Sequence, residues 1–290
     1  MLDVLAEGEA PARGDLAATV HRVADGAPAL LATDLGAARG DGVFETFGVV
    51  DGHPQAVDAH LTRLASSAAL LDLPEPNLEQ WRAAVAIAAD ALPRTRQGGI
   101  KLVLTRGVEG TGIPTAWIVV TVAERDFAER QHGIRVVTLD RGYASDVAQR
   151  APWLLAGAKT LSYAVNMAAL REAARRGADD VIFTSTDGYV MEAPTSTVVI
   201  RRGDAFSTPR ADIGILPGTS QLSLFEFLRS AGFRAEAGLI PVSGLRDADG
   251  VWLVSSLRLA APVTHIDGMP VRHDPEMTGR MNAALLARDA

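Results

Sequence analysis

The 290-residue sequence contains no cysteine. That absence excludes disulfides, thiolate zinc sites, iron–sulfur clusters and cysteine nucleophiles together. A basic excess is also missing: 28 Lys plus Arg against 35 Asp plus Glu leave a formal charge of −7, which argues against a nucleic-acid surface. No apolar run approaches the roughly 20 residues of a membrane span, and the acidic start MLDVLAEGEAPARGD is unlike a signal peptide. A soluble, cytoplasmic protein is expected, with no metal, no nucleic acid and no membrane partner. Lysine is nearly lacking too. Only Lys101 and Lys159 stand among the arginines. A coding bias toward Arg accounts for most positions, yet a retained lysine can do what arginine cannot, namely lose its proton and attack a carbonyl.

What is present is ordinary globular material, 48% hydrophobic and 22% charged, enough for one large domain or two modest ones. Residues 1–128 read as mixed α and β. Gly42 to Val50 is strand-like and is followed by the Asp51-Gly52 hairpin signal. Asp58 to Asp72 has helical apolar spacing with Asp58 placed as N-cap, and Leu78 to Ala91 forms a second helix started by Asn77. Ile100 to Thr105 and Trp117 to Val122 are β-rich and flank a Gly-rich loop. The charged stretch from Glu124 to His132 reads as a connection to a second domain, 129–290.

That second half predicts a strand at Ile134 to Thr138 and a helix at Leu161 to Arg176 closed by Gly177. Short strands then alternate with the Asp187-Gly188 and Gly203-Asp204 turns, a spacing that implies antiparallel pairing rather than a Rossmann series. A helix over 219–231 and a strand from Val251 to Leu257 follow.

Four features carry chemistry. Lys159 lies in Trp153-Leu-Leu-Ala-Gly-Ala-Lys159-Thr-Leu161, where uncharged neighbours disfavour the ammonium form; a snorkelling lysine at a helix entrance is the competing reading. Leu216-Pro-Gly218-Thr219-Ser220 opens a helix and offers hydroxyls and N–H groups where a phosphate is stabilised, though an ordinary Ser/Thr cap has the same pattern. Glu192 is a carboxylate at a strand end before a Pro-broken segment, or a solvated edge residue. His60 and Arg63 share a helix face, with Arg63 suited to a phosphate or merely exposed. Together, an amine, a phosphate cradle, a second phosphate-binding cation and a lone carboxylate are the parts of a pyridoxal 5'-phosphate site.

The order and wording of these motifs resemble the class IV aminotransferases, the fold-type IV pyridoxal-phosphate enzymes. The resemblance rests on Arg39-Gly-Asp-Gly-Val-Phe44-Glu, His60-x-x-Arg63-Leu, Lys159, Glu192 and Leu216-Pro-Gly218, and runs from about residue 35 to residue 270. It implies an α+β fold: a small α/β domain, a larger domain with an antiparallel β-barrel core, and the cofactor between them, usually in a homodimer. It further implies Lys159 as Schiff-base lysine and proton shuttle, Glu192 on the pyridine nitrogen, and Arg63, Thr219, Ser220 and Ser256 on the phosphate. Tyr163, four residues past the lysine, is a candidate for the cofactor's phenolic oxygen, with aromatic packing as the alternative.

The family includes branched-chain aminotransferases, D-amino-acid aminotransferases and aminodeoxychorismate lyase, all acting on a small amino substrate. Thr46 after Phe44-Glu45 resembles the lyases, where a hydroxyl can assist proton transfer in the elimination; an outward-facing strand Thr is the plain alternative. Thr105-Arg106-Gly107 resembles an element shared by lyases and D-amino-acid enzymes, with Arg106 suited to a substrate carboxylate and Phe44 lining the substrate pocket. Gly48 departs from the basic residue usual in relatives, and Glu192-Ala193-Pro194 departs from the Glu-Gly of branched-chain enzymes. The expectation is therefore a lyase that eliminates pyruvate from 4-amino-4-deoxychorismate to give 4-aminobenzoate for folate synthesis. D-Amino-acid transamination is the runner-up or second activity, and branched-chain transamination ranks last. A catalytically silent relative is the reading from another class; retention of Lys159 argues against it.

Overall fold

The computed structural model describes residues 1–6, 8–11, 14–94, 97–123 and 127–288. The chain forms two compact units. One comprises the described residues of Met1–Arg125 together with Ala158–Tyr163; the other comprises those of Asp126–Gly157 and Ala164–Arg288. Of the charged Glu124–His132 connection, Glu124, Arg125 and Asp126 lie outside the described residues.

In the first unit a short helix α1 (Leu35–Arg39) leads into β1 (Gly42–Val50) and β2 (His53–Pro54), then helices α2 (Val57–Leu70) and α3 (Leu78–Asp90), then β3 (Gly98–Thr105) and β4 (Thr115–Val122). The four strands form one antiparallel sheet in the order β2-β1-β3-β4. Successive side chains of β1 point to opposite faces of the sheet. Val43, Glu45, Phe47 and Val49 are all fully buried, and α2 and α3 cover that face with Leu61, Leu64, Trp81 and Val85. Each such large apolar side chain stabilises the fold by about 1.5–3 kcal/mol. Phe44, Thr46 and Gly48 belong to the other face.

Asn77 caps α3 as its sequence position implies, its side chain accepting from the Gln80 N–H at 3.0 Å. The N-cap of α2 falls two residues earlier than expected, on left-handed Ala56, so Asp58 sits in the first turn. There its charge still complements the helix dipole, and it pairs with Arg82 at 2.8 Å.

The second unit contains α4 (Glu129–His132), β5 (Ile134–Asp140), α5 (Val147–Arg150), α6 (Ala164–Arg175), β6 (Asp180–Thr184), β7 (Thr197–Arg202), β8 (Ala205–Pro209), α7 (Thr219–Ser230), β9 (Arg234–Gly238), β10 (Gly250–Ser255), β11 (Leu259–Ile266), β12 (Met269–Pro270) and α8 (Pro275–Leu286). Its eight strands run β6-β5-β11-β10-β7-β8-β9, with β12 on β11. The sheet is mixed. β7–β8, β7–β10 and β10–β11 are antiparallel, as the turn spacing implies, whereas β5–β6, β5–β11 and β8–β9 are parallel. Parallel neighbours need a crossover, and α6 and α7 supply it for β5–β6 and β8–β9. Helix α6 starts at Ala164 rather than Leu161, because Leu161 instead donates its N–H to Gly42 O at 2.8 Å beside β1.

Candidate active site

Within the first unit the segment carrying Lys159 is stitched to β1. Phe44 N–H donates to Lys159 O at 3.0 Å, Val43 bridges Thr160, and the Lys159 N–H donates to Ser67 Oγ of α2 at 3.1 Å. The lysine therefore arrives on a backbone fixed from two sides. Its Nζ lies 4.5 Å from the centroid of the Phe44 ring. The Nζ of Lys101, the chain's other lysine, lies 4.7 Å from the same centroid. An aromatic face attracts a cation at these distances. Register explains the arrangement: Thr46 pairs with Lys101 and Phe44 with Val103, so Phe44, Thr46, Lys101 and Val103 share one sheet face. Tyr163 completes this group, its ring edge-on to Phe44 with centroids 5.4 Å apart.

Arg63 is held from the other face of β1. Its Nε and Nη2 donate to the two carboxylate oxygens of Glu45, both at 2.7 Å, and His60 Nδ1 donates to Glu45 Oε2 at 2.7 Å. An ionised carboxylate only accepts, which fixes Nδ1 of His60 as the protonated nitrogen. Glu45 is fully buried. Burial pushes its carboxyl up, but the Arg63 charge and the hydrogen bonds from Arg63 and His60 outweigh that and hold it at about 2. The guanidinium of Arg63 is thereby locked in orientation by a permanent anion. A carboxylate at an inward position of an alternating apolar strand was the readable signal for this network, and it identifies Glu45 as a residue the motif reading left without a role.

Arg106 has a partner set of its own. Its fork engages Asp41, with Nε to Oδ2 at 2.7 Å and Nη2 to Oδ1 at 3.2 Å, and reaches the carbonyls of Leu71 and Asp72 beyond α2. The hydrogen bond to Asp41 raises its pKa. Gly107 beside it must be glycine: φ is +82°, and a Cβ would meet Ile113 O at 1.8 Å.

In the second unit, Glu192 follows a stretch that pairs with Phe183 of β6, and its Oε2 accepts the Leu216 N–H at 3.0 Å. Asn166 of α6 steadies the next turn by donating to Pro194 O at 2.8 Å. Leu216 opens the Pro217-Gly218 turn, so the carboxylate and the start of α7 are tied by one bond. Gly218 is the N-cap of α7 and, having no side chain, provides no side-chain cap. A Cβ there would meet Thr197 Oγ1 at 2.2 Å, so glycine is required for the turn to seat on β7.

Thr219 and Ser220, both buried, begin the helix. Ser256 comes to them from the β10–β11 hairpin, its Oγ 3.2 Å from Ser220 Oγ and 3.5 Å from Thr219 Oγ1. That hairpin is fixed by two arginines that sequence reasoning did not single out. Arg130 donates to Leu257 O at 2.7 Å and Arg258 O at 2.9 Å, and Arg258 donates to Asp180 and Ser196 at 2.7 and 2.9 Å. Three hydroxyls at the start of a twelve-residue helix form a donor set that fits a phosphate ester. An anchored carboxylate fits a protonated ring nitrogen. The structure thus brings Lys159, Phe44, Thr46 and Tyr163 together in one unit and Thr219, Ser220 and Ser256 together in the other.

Comparison with known proteins agrees with these features. The sequence model of the Amino-transferase class IV family matches residues 42–266, and the chain belongs to that family. It is 49% identical over 260 residues to a bifunctional aminodeoxychorismate lyase / D-amino acid transaminase of Mycobacterium tuberculosis, covering 86% of this chain and 90% of that one. Among solved structures, a fold IV-transaminase from Curtobacterium pusillum superposes with a TM-score of 0.90 at 52% identity, covering 95% of each chain. A hypothetical aminotransferase from Mycobacterium tuberculosis in its PLP-bound form superposes with a TM-score of 0.87 at 46% identity, covering 91% of this chain and 95% of that one.

Proposed function

We propose that this class IV aminotransferase is a pyridoxal 5'-phosphate-dependent 4-amino-4-deoxychorismate lyase that releases pyruvate and 4-aminobenzoate. D-Amino-acid transamination is a second activity of the same residues, and branched-chain transamination is the least supported. The observation that carries the reading is the position of Thr46, on the sheet face of Phe44 and directly across from Lys101; separately, a relative of both named activities is 49% identical over most of the chain.

When bound, the cofactor supplies an electron-withdrawing ring that takes up charge from the substrate carbon bearing the amine. Lys159 holds the cofactor and moves the proton at that carbon. Its amine is placed for this by the backbone bonds to Phe44 and Ser67. The proton that Lys159 takes up is passed through the Thr46 hydroxyl to the departing enolpyruvyl oxygen as its C–O bond breaks, so that Thr46 is restored, the ring becomes aromatic and the released enol tautomerises to pyruvate. Glu192 keeps the ring nitrogen protonated, while Arg63, oriented by Glu45, and the hydroxyls of Thr219, Ser220 and Ser256 hold the phosphate. Tyr163 serves the phenolic oxygen. Two cations are assigned to the substrate carboxylates: Lys101, beside Phe44, and Arg106, whose fork Asp41 orients.

The same proposal places the protein in the cytoplasm, in folate synthesis, as a homodimer acting on a small amino compound. Support for the dimer comes from apolar side chains left at the surface of the second unit, Trp153 at 75% exposure with Leu154, Val165 and Met167. Among the described residues no helix is long and apolar enough to cross a membrane. The test is to supply 4-amino-4-deoxychorismate to the cofactor-loaded protein and follow both products. Equimolar, catalytic release that vanishes in Lys159→Ala supports the lyase. No release, with amine transfer from D-alanine intact, assigns the protein to transamination and removes Thr46 from the mechanism.

A further inference from the structure

Arg288 belongs to none of the sequence motifs, yet the fold delivers it to the hydroxyl cluster. The delivery begins at α8. Asp274 caps that helix by accepting the Met277 N–H at 2.9 Å, and Pro275 occupies its first turn. Met277, Met281 and Leu285 then bury against Trp252, Leu224, Phe225 and Leu228. Asn282 fixes the register by bonding both backbone groups of Ala260 on β11, at 2.9 and 3.0 Å. With α8 pinned in this way, Arg288 follows two residues after its end. Its Nε donates to Leu285 O at 2.8 Å, and its Nη1 donates to Ser220 Oγ at 3.1 Å.

We infer that Arg288 is a positioning residue for the cofactor phosphate, acting through Ser220 and adding positive charge to the cradle formed by Thr219, Ser220 and Ser256. The inference rests on the phosphate reading given above and extends it to a residue outside the family motifs.

Two physical arguments carry it. A serine hydroxyl has one proton. Because Ser220 Oγ accepts from Arg288, that proton is directed away from the guanidinium, toward Ser256 Oγ or an anion at the start of α7. A hydroxyl polarised by a cationic donor is also a stronger donor itself. The second argument is electrostatic. Arg288 stands beside the residues that open α7, the positive end of that helix dipole. Burial drives the guanidinium down to about 10. A dianion at that helix start interacts favourably with both the guanidinium and the helix end. Closing the last turn of α8 through Leu285 O accounts for one N–H of Arg288, but not for a second directed at Ser220.

The experiment compares binding of pyridoxal 5'-phosphate and of pyridoxal, which lacks the phosphate, to the full chain stripped of cofactor. Dissociation constants are read from absorbance and from protein fluorescence for the unaltered protein, Arg288→Ala, Arg288→Lys, Ser220→Ala and the double variant Ser220→Ala/Arg288→Ala. Arg288→Ala is expected to weaken pyridoxal phosphate about 10- to 100-fold, the range for a hydrogen bond to a charged group, and to leave pyridoxal unchanged. Arg288→Lys recovers part of the loss. In the Ser220→Ala background the loss shrinks, since the two residues act in series.

Equal weakening of both ligands, or a lowered melting temperature with unchanged preference for the phosphate ester, overturns the inference and leaves Arg288 as a helix closure. Should Arg288→Ala fail to fold, Arg288→Gln keeps the stem and an N–H without the charge, and the same loss of preference is required of it. The two levels separate cleanly. An unaltered protein that binds pyridoxal as well as its phosphate refutes the cradle itself. A strong preference that Arg288→Ala retains refutes only the role of Arg288.

Discussion

In the first unit the candidate groups are charged and held by charge: Glu45, His60 and Arg63 form a buried network of 2.7 Å contacts, and the chain's two lysines lie at the ring of Phe44. In the second unit they are mostly neutral and held by backbone: three hydroxyls at a helix start, with that of Ser256 3.2 and 3.5 Å from the other two, and a carboxylate anchored by one amide. The difference teaches where sensitivity lies. A buried ion pair fails abruptly when one member is removed, because the survivor stays buried and uncompensated. A cluster of hydroxyls and amides fails by increments, since each hydrogen bond contributes only about 0.5–1.5 kcal/mol.

The largest effect belongs to Lys159→Ala. Turnover should fall by about 10⁴-fold or more, because the proposed function asks one side chain both to hold the cofactor and to move the proton. The yellow absorbance of the purified protein should vanish with it while thermal stability holds. Turnover that survives unchanged would remove Lys159 from the chemistry, and an unaltered protein with neither yellow absorbance nor turnover would be a silent relative.

Glu45→Gln ranks next and sharpens the contrast directly. It should cost about 3–5 kcal/mol in urea unfolding, as breaking a buried pair does. It should also give the pH dependence a distinct shape. The folded carboxyl sits at about 2, below its ordinary 4.5, so its contribution is fully present above about 4.5 and is lost as pH falls toward 2. Acid unfolding curves between those limits should be shallower for Glu45→Gln than for the unaltered protein. Equal slopes would mean the network does not hold Arg63 electrostatically.

Thr46→Val tests the chemistry rather than the scaffold. Pyruvate release should drop about 10²-fold, the lower range for a proton-transfer group, while D-alanine transamination stays within a few-fold. Parallel loss of both would show that Thr46 merely shapes the face beside Phe44. The smallest effect is expected of Ser256→Ala, which should weaken pyridoxal phosphate by roughly 1 kcal/mol, about fivefold, with no change in acid stability. A collapse as large as that of Glu45→Gln would erase the distinction between the two units.

Much of this was legible along the chain. The β1 strand, the Asn77 cap and the helix after Gly218 all follow from neighbours a few positions apart, the range over which caps, turns and periodicity act. Less legible was the end of the Lys159 segment, where helical spacing from Leu161 lost to backbone pairing with β1 until Ala164. The parallel pairings of β5 and β8 were equally hidden, because turn signals report hairpins and are silent about crossovers.

The order of residues fixes which chemical groups the protein owns: no thiol, two lysine amines, a hydroxyl pair opening a helix, and an acid inside an apolar strand. Tertiary structure alone decided who meets whom. Glu45 finds Arg63 across 18 positions, Lys101 joins Lys159 at one aromatic ring, and Arg288 reaches Ser220 across 68. Those meetings depend on sheet register and helix docking, which are set by the burial of apolar faces contributed by segments far apart in the chain.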